Sequence, residues 1–398
     1  MVSVTSLVHD RPLAASLGAV LAGPSSQGSG RSSPSTLKPT SRYGLIDVRI
    51  CGGDTLRVFD DVGVPGLALD RFRDFFEAAR PGAVAGPLRA RVIDGGRSNL
   101  TYEVTDGRSS WIVRRPPLGH VLATAHDMAR EYRVMTALAG TAVPVPETYA
   151  LCDDPAVIGA PFYVMEMVEG VPYRSASELR PLGPERVARI AERMVDTLVE
   201  LHRVDPAEAG LADFGRPEGF LARQVRRWKK QLDASRSRDL PAAAELHTRL
   251  ESGLPAEGAP AIVHGDYRLD NLLVDSGDRI AAVLDWEMAT LGDPLTDLAL
   301  LLVYMGRQTP VPGTADASGA PGFPAPEEVL ARYAARSGRD VSRIGFYVGL
   351  ACFKLAVISE GIHYRYIHGQ TVGEGFETVG DAVEPLLRSG LAALDGAR

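Results

Sequence analysis

Cysteine is scarce. The chain of 398 residues has three, Cys51, Cys152 and Cys352, odd in number, far apart, and without CxxC or Cys/His spacing. A disulfide framework and a thiolate zinc site are therefore excluded, and buried thiols of a reducing, cytoplasmic compartment are expected. An excess of positive charge is also missing: 43 Lys and Arg face 50 Asp and Glu, for a formal charge of −7. This excludes a surface built throughout to hold nucleic acid, so no nucleic-acid partner is expected and any anion site must be local. Long apolar runs are lacking too. The most conspicuous, Leu298 to Met305, falls well short of the roughly 18 residues of a spanning helix, and no membrane partner is expected. Leu13 to Gly23 is mildly apolar, but His9, Asp10 and Arg11 make a poor charged flank for a signal peptide. No repeat of about 20–50 residues is present, which excludes a solenoid. What remains is ordinary globular composition, 45% hydrophobic and 23% charged, on a chain long enough for two or three structural units.

Gly23 to Ser41 is dense in Gly, Ser and Pro and almost free of large apolar residues, so it buries too little surface to offset the entropy of ordering. Residues 1–63 are read as a leader. Within it, the β-like patches between Tyr43 and Phe59 suit an added hairpin, a docking segment or translated upstream sequence equally well. Gly28-Ser29-Gly30 is no nucleotide motif, because no strand precedes it. Globular patterning begins near Leu67, with Leu69, Phe72, Phe75, Phe76 and Ala79 at helical spacing. Strands are predicted over Arg89 to Ile93, Leu100 to Val104, Ser110 to Arg114 and Phe162 to Met167, with a helix from about Ala125 to Leu138. Residues 64–170 thus read as an α+β lobe. From Val187 to Leu201 the apolar period becomes helical, and residues 171–398 read as a larger, mostly helical lobe. Short strands are expected over Ala261 to Val263 and Arg279 to Leu284, and a long loop over Thr309 to Pro326.

The densest polar chemistry is His264-Gly265-Asp266-Tyr267-Arg268-Leu269-Asp270-Asn271, between two apolar runs, followed fourteen residues later by Asp285-Trp286-Glu287. A carboxylate, a carboxamide five residues on, and a second carboxylate after a hairpin supply the base and hard oxygen ligands that phosphoryl transfer to a hydroxyl requires. Asp and Asn as ordinary turn formers explain any one of these residues but not their joint spacing.

This pattern, H-G-D-x-x-x-x-N, a strand, then D-W-E, resembles the aminoglycoside phosphotransferase and choline kinase superfamily. The resemblance implies a two-lobed protein-kinase-like fold and an ATP- and Mg2+-dependent small-molecule kinase. It implies Asp266 as base, Asn271 and Asp285 as metal ligands, and Arg268 as the cation that steadies the transferring group. It further implies a phosphate-covering turn with Gly95, Gly96, Ser98 and Asn99, and a nucleotide cation at the end of Trp111-Ile112-Val113-Arg114. That cation is Arg114 where most kinases have lysine, or Arg115 one residue out of register. Glu131 is implied as its acidic partner, with a plain surface helix charge as the competing reading, and Glu166, Met167 and Val168 as the hinge that meets the adenine. Asp293 and Asp297 match the superfamily as structural residues, Asp297 as a helix cap and a brace of the 264–271 loop. His202 reads as packing, and His363 and His368 share no metal spacing. Gly95 to Tyr102, Arg114-Arg115-Pro116-Pro117, and Glu360-Gly361-Ile362 are similar to the kinase-like domains found beside acyl-CoA dehydrogenases; no dehydrogenase motif is present in these residues.

Two other readings stand beside this one: a silent nucleotide-binding scaffold, whose signature would be loss of Asp266, Asn271 or Asp285, and an antibiotic kinase, whose acceptor surface should be acidic. Against the latter stands the helical stretch Phe220 to Leu232, where Arg223, Arg226, Arg227, Lys229 and Lys230 meet almost no acidic residue. Arg223, Arg227 and Lys230 share one face beside Trp228. Either this is a solvated basic face, or it lines the acceptor cleft and the hydroxylated acceptor is anionic, as a hydroxy acid or hydroxyacyl-coenzyme A would be.

Overall fold

The computed structural model describes residues 64–93, 99–118, 127–306, 316–371 and 375–396. The expected leader, the Gly95-Gly96-Arg97-Ser98 turn and residues 309–315 of the 309–326 loop lie outside the described residues. The order is α1 (Leu69–Ala79), β1 (Arg89–Val92), β2 (Leu100–Thr105), β3 (Ser110–Arg115), α2 (Met128–Leu138), β4 (Thr148–Cys152), α3 (Pro155–Ile158) and β5 (Phe162–Glu166). Then follow α4 (Ala176–Leu179), α5 (Pro184–Arg203), α6 (Phe220–Ser235), α7 (Pro241–Ser252), β6 (Ala261–Val263), β7 (Leu272–Val274), β8 (Ile280–Val283) and β9 (Thr290–Gly292). The chain closes with α8 (Leu295–Met305), α9 (Pro326–Ser337), α10 (Ile344–Ile367) and α11 (Val383–Asp395).

β1-β2-β3-β5-β4 form one antiparallel sheet. Strand alternation sends successive side chains to opposite faces. On one face Trp111, Val113, Phe162 and Val164 pack with Phe72 and Phe76 of α1, whose rings meet Trp111 and Phe162 at centroid distances of 5.3 and 6.1 Å. Each such buried ring contributes about 1.5–3 kcal/mol. On the other face Ile112, Tyr163 and Met165 join the core shared with α2 and the helical lobe. Asp127 caps α2 by accepting the Arg130 N–H at 2.9 Å.

In the helical lobe, Val187, Ile190, Met194, Leu198 and Leu201 of α5 are buried, as their period predicts. α10 is long and apolar enough to cross a membrane, but 72% of its most apolar window is buried inside the fold, packed against α6, α7, α8 and α11. Two short ladders position the polar loop. β6 pairs with β9 (Ile262↔Leu291) and β7 with β8 (Leu272↔Val283), which lays residues 264–271 beside residues 284–289. The β7–β8 turn holds Asp278 at φ 63°, where its buried carboxylate takes Arg186 and Arg189 of α5 at 2.6 and 3.1 Å.

Candidate active site

The 264–271 loop is held from below by one carboxylate. Asp297 in the first turn of α8 accepts the N–H groups of His264 and Gly265 at 2.7 and 2.8 Å. Burial alone would raise its pKa, but the hydrogen bond from His202 and those backbone donors hold it below the ordinary value. Asp297 therefore braces the loop but does not cap its helix, which begins after Pro294; Asp293, one residue further out, accepts the Leu295 N–H at 3.0 Å. His202 is more than packing. It is buried, with Nδ1 2.8 Å from the Tyr333 hydroxyl and Nε2 3.4 Å from Asp297. Burial holds its pKa below the usual histidine value. His264 Nδ1 accepts the Asp266 N–H at 3.2 Å, which leaves Nε2 to donate to Leu284 O at 2.9 Å. Gly265 adopts φ +84°, and a Cβ there would lie 2.7 Å from Met288 Cβ, so only glycine fits.

Asp266 is buried, and three side chains approach its carboxylate. Asn271 Nδ2 donates to the Asp266 carbonyl at 2.9 Å and is 3.3 Å from Oδ2. Arg268 Nε lies 3.4 Å from Oδ2 and 3.1 Å from Asp270 Oδ1. Burial would lower the Arg268 pKa, but Asp266 and Asp270 outweigh it and hold it well above the ordinary value. The third partner was not read from the sequence: the Tyr304 hydroxyl of α8 donates to Asp266 Oδ1 at 3.0 Å, with its ring under the Arg268 guanidinium. Burial and the Asp266 charge push the Tyr304 pKa far up, so it stays protonated and a donor.

Asp285 has φ 65° and ψ 62°, and such a left-handed non-glycine residue marks local strain at a site. Its Oδ1 accepts from Arg114 Nη2 at 2.6 Å, and Arg114 Nε lies 3.0 Å from Glu131 Oε2. Burial would lower the Arg114 pKa, but Glu131 and Asp285 raise it well above normal. Arg114 thus faces the Asp285 segment. Arg115, on the opposite face, donates to the carbonyls of Gly66 and Ile158, both at 2.8 Å. Glu131 is no surface charge: it is 1% exposed and also accepts from the Tyr163 hydroxyl at 2.9 Å. Its burial raises the pKa and Arg114 offsets this only in part. Asn99, expected at the phosphates, is buried with Nδ2 donating to Glu131 and Glu287 at 3.1 and 3.3 Å; its short amide is drawn inward by the two carboxylates. At the hinge the Glu166 N–H is already donated to Glu147 O at 2.8 Å in the β4–β5 ladder, so any edge it offers lies in the backbone leaving the sheet toward Met167 and Val168.

A cavity of about 460 Å3 opens beside Gly265, lined by Gln224, Arg227 and Trp228 of α6 and by Tyr347 and Lys354 of α10. The basic helix thus lines a cleft, though not with the expected set. Arg223 folds back onto the carbonyls of Arg216 and Glu218, Lys229 pairs with Asp233 at 2.5 Å, and Lys230 is exposed. Lys354, overlooked in the sequence, donates to Gly265 O at 2.8 Å.

The donors near Asp266 suit a hard cation. Nδ2 of Asn271 is committed to Asp266, which leaves its amide oxygen available, and the Leu284 N–H donates to Asn271 O at 2.8 Å, tying that residue to the one before Asp285.

A five-stranded antiparallel sheet with α1 on one face and α2 on the other, a helical lobe, and this loop and hairpin between them define the two-lobed kinase-like class. Residues 89–341 match the sequence model of the phosphotransferase enzyme family, and the chain belongs to it. It is 37% identical over 321 residues to acyl-CoA dehydrogenase family member 11 of Gallus gallus, covering 78% of this chain and 41% of that protein. The chain thus spans about two fifths of that curated relative. A structure from Ralstonia eutropha JMP134, described as a candidate aminoglycoside phosphotransferase, superposes with TM-score 0.74 at 32% identity, over 86% of this chain and all of that one. A thermostable mutant of aminoglycoside phosphotransferase APH(4)-Ia, in ternary complex with AMP-PNP and hygromycin B, shares the fold at TM-score 0.53 and 15% identity, over 80% of this chain and 98% of that one.

Proposed function

We propose that the protein transfers the γ-phosphoryl group of ATP, with Mg2+, to a hydroxyl of a small anionic molecule such as a hydroxy acid or a hydroxyacyl-coenzyme A. The observation that carries this reading is the convergence of Asp266, Asn271, Arg268, Asp285 and Arg114 at the junction of the sheet and the helical lobe. Asp266 takes the acceptor's proton as the acceptor oxygen bonds to phosphorus, and the oxygen bridging to ADP leaves with the electron pair of the broken P–O bond. Asn271 Oδ1 and the Asp285 carboxylate would hold Mg2+, which neutralises charge on the phosphate oxygens when bound. Arg114, fixed by Glu131, is placed for the nucleotide phosphates, and Arg268 for the transferring group. The nucleotide complex of the hygromycin-binding relative supports ATP as donor. Arg227 and Lys354 in the cleft, whose carboxylates Asp127, Glu287 and Asp297 each accept protein N–H donors, support an anionic acceptor over a polycationic antibiotic.

The test is labelled ATP with pools of hydroxylated metabolites, read as a product mass shift. Asp266→Asn and Asp285→Asn should each reduce transfer by roughly 10³-fold or more while unfolding transitions stay near wild type. Near-normal transfer in either variant would remove the mechanism.

A further inference from the structure

This inference rests on the phosphotransferase reading and concerns what Lys354 binds. Its Nζ gives one of three N–H donors to Gly265 O at 2.8 Å, the carbonyl joined to the Asp266 nitrogen. Among the described residues no carboxylate forms an ion pair with it. Of the carboxylates around the same cavity, Asp297 accepts the His264 and Gly265 N–H groups, Asp127 accepts the Arg130 N–H, and Glu287 accepts the Asn99 amide at Oε2 alone. Trp228 covers one side, with Nζ 5.8 Å from its ring centroid.

A backbone carbonyl is satisfied as well by a neutral amide, so a lysine here carries a desolvation cost that the brace alone does not explain. Burial lowers the pKa of both Lys354 and Arg227, and Asp266 and Asp297 offset this only in part for Lys354. An anion entering the cavity supplies the compensation that Lys354 lacks. The volume, about 460 Å3, lies within the range of roughly 300–1,000 Å3 of small-ligand sites.

We propose that Lys354 is the specificity-determining residue of the acceptor site, binding an oxyanion of the acceptor in the cleft between α6 and α10 while the acceptor hydroxyl faces Asp266. Arg227 is the second cation of the cleft. The oxyanion is the carboxylate of a free hydroxy acid or a phosphate of a hydroxyacyl-coenzyme A.

Matched acceptors test this in the full chain. Hydroxybutyrate is compared with butanediol, and hydroxybutyryl-coenzyme A with the neutral N-acetylcysteamine thioester of the same acid. Wild type should favour one anionic member over its neutral counterpart by about tenfold or more in kcat/KM, a preference that tells which anion is read. Lys354→Met should bring the preference below about threefold, and Lys354→Arg should keep most of it. A brace of Gly265 alone would instead lower both members equally, and that result overturns the proposal. So does equal use of neutral and anionic acceptors by wild type, or turnover of neither while MgATP binding, measured by calorimetry, is intact. Absence of MgATP binding would point to failure of the phosphotransferase reading itself. Calorimetry on Lys354→Met and Lys354→Arg also separates lost discrimination from lost folding.

Discussion

Arg114 ties the sheet to the Asp285 segment, and removing its charge gives the most quantitative test of the site. Arg114 is 11% exposed on its side chain, Glu131 1% and Asp285 18%. Truncating one partner of a buried ion pair costs about 3–5 kcal/mol, because the other charge stays desolvated. In Arg114→Met, Glu131 keeps the Tyr163 hydroxyl and the Asn99 amide. Its raised pKa eases proton uptake, which places the loss near the lower end, about 3 kcal/mol. Arg114→Lys keeps the charge but not the fork that reaches Glu131 and Asp285 together, so one charge-assisted bond worth about 1.5–3 kcal/mol is lost. Urea unfolding followed by circular dichroism reads the change as a shift in midpoint at constant slope. Adding Glu131→Gln to Arg114→Met should recover about 2 kcal/mol relative to additivity, since it removes the stranded charge. Arg114→Lys should also retain more transfer activity than Arg114→Met. Stability of Arg114→Met within about 1 kcal/mol of wild type, or a coupling near zero, would refute the argument. Equal activity of the two variants would refute the phosphate role.

Tyr304→Phe removes the donor at 3.0 Å from Asp266 Oδ1. A bond to a charged group is worth about 1.5–3 kcal/mol, so kcat should fall about 10- to 100-fold with the KM for ATP little changed, measured by steady-state kinetics. Protonation supplies another measurement. His202 has a folded pKa below its ordinary 6.5, so its contribution to stability is complete above that value and is lost as pH falls below it, where the unfolded chain takes up the proton first. Unfolding free energy should therefore drop between pH 6.5 and 5 by up to about 1.4 kcal/mol per pH unit, and His202→Gln should flatten that slope. An unchanged slope would show that His202 does not titrate on unfolding.

Much of the fold is legible in the sequence, since strands bounded by turn residues and an amphipathic α5 follow from local period. β1, β2, β3, β5 and β6 lie within a residue of their expected ends, and α2 starts at Met128, later than expected. β4 escapes because Tyr149, Ala150, Leu151 and Cys152 are apolar without alternation, in an edge strand whose register shifts between Thr148 and Ala150. β9 has three residues, one of them Gly292, and exists only because β6 lies beside it. α10 is buried nearly all round, so no amphipathic period announces it.

The site divides along the same line. Asp266, Asn271 and Asp285 belong to one continuous segment, so their spacing alone conveys their relation. Tyr304 and Lys354 come from helices that read as core, where an aromatic hydroxyl or a lone ammonium carries no pattern. Their meaning depends on which carboxylate or carbonyl each meets, and only the fold sets that. The helix at 220–235 makes the same point in reverse: Arg223, Arg227 and Lys230 share one face, yet Arg227 enters the cleft while Arg223 turns to carbonyls and Lys230 is exposed. Net charge is an equally poor guide to the site. The chain carries −7 overall, but Arg114, Arg227, Arg268 and Lys354 gather around the loop and the cleft. At physiological salt the Debye length is about 8 Å, so the distant surface carboxylates are screened and only charges near the site, these cations among them, act on a ligand. An anionic acceptor and a nucleotide are thus compatible with an acidic protein, provided that both bind within reach of those side chains.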